Sequence, residues 1–143
     1  MKQKYEHTPE NGVYGDCWRT CVAYILGLPR DEVPHYPEHG VDPYDTDAAI
    51  DFMVDWLRSY NYGYFSFPFK WDGDVRELFD SRRLFNTAII VVGISTILCD
   101  HCVVITPGGE MIDPSGNGII GPCADGHYWI EVITPYFVPP PSE

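Results

Sequence analysis

The chain is 143 residues long, 45% apolar and 15% aromatic, and sets 21 acidic against 9 basic side chains for a net charge of -12. That length suits a single compact domain, residues 1–143, burying about two-thirds of its unfolded surface. The charge argues against nucleic acid polymers and anionic membranes as partners, since both need clustered Lys and Arg and Arg82-Arg83 is the sole adjacent basic pair.

Residues 1–14 are polar, with Pro9 and Gly12, and read as an irregular lead-in. The stretch Gly15-Asp16-Cys17-Trp18-Arg19-Thr20-Cys21 then opens a helix over Cys17–Leu26. Asp16 is placed to cap it, Trp18, Cys21, Val22 and Ile25 recur at helical spacing, and Gly27 with Pro29 ends it. Asp31 to Pro37 allows one helical turn at most, because Pro34 and Pro37 interrupt it. A second helix, Asp47 to Tyr60, is expected behind a Thr46 cap, with Ala49, Phe52, Met53, Trp56 and Leu57 on one face and Gly63 as its left-handed terminator. Tyr64–Phe69 predicts an edge strand, since Pro68 bars a central place. Asp72-Gly73-Asp74 opens a third helix to about Leu84. Thr87–Ile94 reads as a buried strand, and His101–Thr106 with Glu110–Asp113 as a hairpin about Pro107-Gly108-Gly109. Residues 114–126 are a Gly-rich loop, and His127–Thr134 is the last strand. Helices before strands predict an α+β fold, the Cys17 helix packed on an antiparallel sheet of four to six strands.

Five cysteines and no apolar leader at Met1–His7 point to free thiols in a reducing cytoplasm. The run Ala88–Leu98 is too short to span a bilayer.

Cys17 stands in the first helical turn, where unpaired N–H groups and the helix dipole favour a thiolate. A catalytic thiol also needs a base and a group to orient that base. The hairpin brings His101 and Asp113 to one rim of the sheet if they share a face.

The Cys-headed helix followed by a His strand, a Gly turn and an Asp resembles the papain-like cysteine hydrolases. It is most similar to their compact bacterial and phage branch around the double-glycine leader peptidases. The segments Gly15–Ala23, Leu26-Gly27-Leu28-Pro29, Glu32-Val33-Pro34, His101-Cys102-Val103-Val104, Gly109-Glu110 and Asp113-Pro114-Ser115-Gly116 also resemble small phage and bacterial proteins. The resemblance implies a papain-like fold with Cys17 as nucleophile, His101 as general base and acid, and Asp113 as orienter. The family places a Gln before the nucleophile to stabilise the oxyanion. Gln3, the only Gln, lies far upstream, so Asn11, six residues before Cys17, is assigned that role. Trp18, Asp16, His35 and Gly116 are the candidate substrate-binding residues.

The expected function is therefore a cysteine-dependent peptidase, amidase or isopeptidase acting through an acyl-enzyme, with no metal and no cofactor. The alternative is a silent papain-like fold that binds a small, nucleotide-like ligand. Cys99, Cys102, Cys123 and His127 offer a rival zinc set, but alternation along the Cys102 strand works against joint ligation. Asp113 has a rival role as well, accepting backbone hydrogen bonds from the turn Pro114-Ser115-Gly116.

Overall fold

The computed structural model describes residues 1–73 and 87–135. The third helix expected up to Leu84 lies largely outside these residues, as does the Pro139-Pro140-Pro141 tail. Helix α1 spans Cys17–Leu26 and α2 spans Thr46–Ser59. The strands are β1 (Tyr62–Phe69), β2 (Ile89–Ile94), β3 (Asp100–Ile105), β4 (Met111–Ile112) and β5 (Tyr128–Pro135). They form one antiparallel sheet in the order β1-β5-β2-β3-β4, so the fold is α+β. The Pro68 strand is indeed an edge, paired only with β5. No described helix is long and apolar enough to cross a membrane.

Alternation along the strands gives the sheet two apolar faces. Ile90, Cys102, Val104 and Ile133 pack with Trp18, Cys21 and Val22 of α1 and with Ala49, Met53 and Leu57 of α2. Ile89, Val91, Val103, Ile105, Ile130 and Val132 form a second cluster with Tyr128. Val22 and Leu57 are wholly buried, and each such side chain stabilises the fold by about 1.5–3 kcal/mol.

Several local expectations are corrected. Asp45, not Thr46, caps α2, its Oδ1 accepting the Ala48 N–H at 3.1 Å. Asp is the better cap because its short carboxylate also favours the positive helix end. The left-handed position after α2 falls on Asn61 (φ 64°), and Gly63 lies inside β1. The Asp31–Pro37 region forms two 3₁₀ turns, Arg30–Glu32 and Tyr36–His39, with Pro34 between them and Pro37 in the first positions of the second, where a missing N–H costs nothing. The lead-in is a third, at Pro9–Asn11. Asp16 holds the N-cap position of α1 without a side-chain cap bond. Its carboxylate instead accepts the Lys4 and Tyr5 N–H groups at 3.2 and 2.7 Å and pairs with Arg19 Nε at 2.8 Å. This buried ion pair pins residues 1–7 against the head of α1. Gly15 allows the approach, since a Cβ there would stand 2.9 Å from the His7 Cβ.

Candidate active site

The head of α1 and the starts of β3 and β5 line one cleft of about 690 Å³. Cys17, the first residue of α1, lies half-buried in its wall. Its thiol is held well below the ordinary thiol range: the Cys102 thiol donates to it, the His101 ring hydrogen-bonds it and its positive charge adds attraction, together outweighing burial. The unpaired N–H groups of the first helical turn act in the same direction. Cys102 pays the reverse cost and is raised well above that range, by its bond to Cys17 and by burial.

His101 is buried at the start of β3. Burial alone would lower its pKa, but the Cys17 thiolate and the Asp113 carboxylate overcome this and raise it to about 9. Its Nε2 donates to Asp113 Oδ1 at 2.7 Å, which leaves Nδ1 for the thiol side. In the β3–β4 register Val104 faces Ile112, so residue 115 rather than 113 falls opposite His101. Strand β4 ends at Ile112, shorter than expected, and the loop beyond curls back so that the diagonal neighbour Asp113 makes the contact. Ser115 Oγ also lies 3.1 Å from His101 Nε2.

Asp113 makes the contacts that both of its sequence readings called for. Besides His101 it accepts the Ser115 N–H (3.0 Å, Oδ1) and the Gly118 N–H (2.6 Å, Oδ2). Burial would raise its carboxyl, yet the bonds from His101, Ser115 and Gly118 keep it below the usual range. Opposite His101 on β2 stands Gly93, where a Cβ would meet Ile119 Cγ2 at 2.6 Å and Gly121 O at 2.7 Å. A glycine there lets the 119–121 segment close over the strand end.

No family model, curated protein or solved structure matches the chain.

The remaining candidates separate. Trp18 lines the cleft, buried beside Cys17. Asp16, His35, Gly116 and Asn11 do not line it. Asp16 is the anchor described above. His35 is buried, its Nε2 3.0 Å from Tyr14 O and its ring stacked on Tyr5, and burial lowers its pKa. Gly116 supplies a left-handed turn (φ 80°) in the loop that carries Asp113. Asn11 is exposed at the end of its 3₁₀ turn. Gln3 instead enters the cleft wall, buried, its N–H donating to Pro114 O at 3.0 Å and its Nε2 to Tyr5 O at 2.6 Å. The sole Gln of the chain was legible; the fold-back that carries it was not.

Among the described residues, no three His, Cys, Asp or Glu converge as a metal site. Cys99 lies 3.6 Å from Ser95 Oγ, Cys123 donates to Val92 O at 3.7 Å, and Cys102 faces α1. Burial, with Asp100 nearby, pushes the Cys123 thiol up to about 12.

A second titratable group in the cleft had no sequence signal attached to it. Glu131, in interior strand β5, is buried, its Oε1 accepting the Tyr64 hydroxyl at 2.6 Å. Desolvation raises its pKa to about 7.

Proposed function

We propose that this chain is a papain-like cysteine hydrolase acting on an amide, peptide or isopeptide bond. The observation that carries the reading is His101 held 2.7 Å from Asp113 on the wall of the cleft that Cys17 also lines, with the imidazole favouring the Cys17 thiolate. In the proposed cycle the Cys17 thiolate attacks the substrate carbonyl carbon. The imidazolium gives its Nδ1 proton to the departing amine, the C–N bond breaks, and a thioester remains. Neutral His101 then takes a proton from water, whose oxygen attacks the thioester and frees the acid and the thiolate. Asp113 fixes the tautomer and stabilises the imidazolium throughout. The Cys17 N–H and the Gln3 amide are the assigned oxyanion donors, Gln3 replacing Asn11.

The alternative, a silent fold binding a nucleotide-like ligand, finds aromatic rings in the cleft for stacking. It also meets the carboxylates of Glu6, Asp100 and Asp125 there, which repel phosphate. The test is an activity-based probe with an acyl-type electrophile. Covalent labelling of Cys17 that disappears in His101→Ala supports the hydrolase. A nucleotide released on denaturation, with no labelling of Cys17, supports the alternative.

A further inference from the structure

A buried carboxyl without a cation beside it has two ways to remain tolerable: keep its proton or acquire a positive partner. Glu131 is 5% exposed, and its one described hydrogen bond comes from a neutral phenol. It sits on the helix-bearing face of the sheet, opposite Ile90 and Ser66, and lines the same cleft as Cys17. Trp18 is the second observation. Its indole Nε1 is buried and finds no hydrogen-bond partner among the described residues, although the ring faces this carboxyl and would favour its ionised form. The Tyr64 hydroxyl and the Trp18 N–H thus suit a carboxylate anion, and among the described residues no cation stands beside it. The walls add four aromatic rings able to face a cation, Tyr14, Tyr36, Tyr44 and Tyr64.

We infer that Glu131 is the specificity residue of the cleft, pairing with an ammonium or guanidinium group of the substrate. The inference rests on the hydrolase reading for the reacting centre and names the substrate class of that site. A cationic side chain entering the cleft displaces the proton of Glu131, and the resulting carboxylate then collects the Trp18 N–H as well as the Tyr64 hydroxyl. The groups that face Glu131 are Tyr64 from β1, Trp18, Cys17 and Cys21 from α1, and Cys102 from β3. Glu6, Asp100 and Asp125 are exposed carboxylates at the rim, able to attract a cation but not to anchor it.

The test compares two reagents with one electrophile, N-(2-aminoethyl)iodoacetamide and N-(2-hydroxyethyl)iodoacetamide, by site-resolved mass spectrometry of Cys17. In the wild-type protein at about pH 8 the ammonium reagent should react roughly tenfold faster than its neutral twin. In Glu131→Gln the two rates should converge. If that variant does not fold, the wild-type ratio decides by itself. It should fall toward unity at about pH 5.5, where Glu131 keeps its proton, because a ratio cancels the titration of Cys17. A wild-type ratio near one at both pH values overturns the inference, as does a preference that survives in Glu131→Gln. The hydroxyethyl rate gauges the nucleophile separately: if Cys17 reacts no faster than free cysteine, the hydrolase reading fails while the ratio still reports on Glu131.

Discussion

Cys17 and Cys21 stand one turn apart on α1, both touching β3 at Cys102, and their sulfurs are driven in opposite directions. Cys17 is met by donors, the Cys102 thiol and the His101 ring, and lies well below the ordinary range. Cys21 is wholly buried, donates its own proton to Cys102 O at 3.5 Å, and is raised by burial and by the negative charges of Cys17, Glu131 and Asp113. A helix N-terminus therefore does not make a nucleophile by itself; the decisive difference is what the neighbouring strand presents. At residue 17 it presents a cation and a donor, and at residue 21 it presents a carbonyl.

Removing the cation should produce the largest change in this contrast. In His101→Ala, Cys17 should lose about a hundredfold in iodoacetamide reactivity near pH 6 as its thiol rises toward the ordinary range, while Cys21 stays inert. An unchanged Cys17 rate would mean that the helix and Cys102 suffice.

Glu131 should come next, read through stability. Its folded pKa, about 7, lies above the unfolded value, so the folded state binds the extra proton between about pH 4.5 and 7. Stability should fall as pH rises through that window. Glu131→Gln should remove that slope and leave the variant about 2 kcal/mol more stable than wild type near pH 8. Urea unfolding at the two ends of the window checks both. A wild-type slope unchanged in the variant would exclude Glu131 as its source.

Asp113→Asn should act more mildly, as an orienter rather than a reacting group. The His101 pKa should drop from about 9 toward its ordinary value in an NMR titration. Cys17 alkylation near pH 6 should fall by about tenfold. Loss of stability with no shift in His101 would leave Asp113 only its turn-forming bonds to Ser115 and Gly118.

Cys21→Ala marks the small end. It should cost about 1 kcal/mol of stability through lost packing and leave the Cys17 rate unchanged. A slowed Cys17 would show that the two thiols are coupled through Cys102.

The parts of the site that were legible share a short sequence range or a local signature. Cys17 follows from the helix start, and His101 and Asp113 from a hairpin whose turn residues are explicit. What was not legible depends on contacts between distant segments. Gln3 reaches the cleft only because Asp16 gathers the Lys4 and Tyr5 amides and because Gln3 itself bonds Pro114. Asp16 could be placed at the cap, but its partners 11 and 12 residues upstream compete for the carboxylate. Glu131 is a lone acid within Trp129-Ile130-Glu131-Val132-Ile133, and alternation alone gives it a face without telling whether that face is wet. The order β1-β5-β2 turns that face inward, toward the helices. Likewise the register of β3 and β4, not the turn sequence, sets His101 diagonal to Asp113.

The most direct test of the central claim is the pH profile of alkylation, resolved for each cysteine in the wild-type protein. The thiolate–imidazolium pair requires Cys17 to react rapidly and almost independently of pH between about pH 6 and 8, while every other thiol either stays silent or climbs with the slope of an ordinary thiol. A Cys17 profile that rises tenfold per unit through that interval, parallel to the remaining cysteines, would contradict the pair and with it the proposed chemistry.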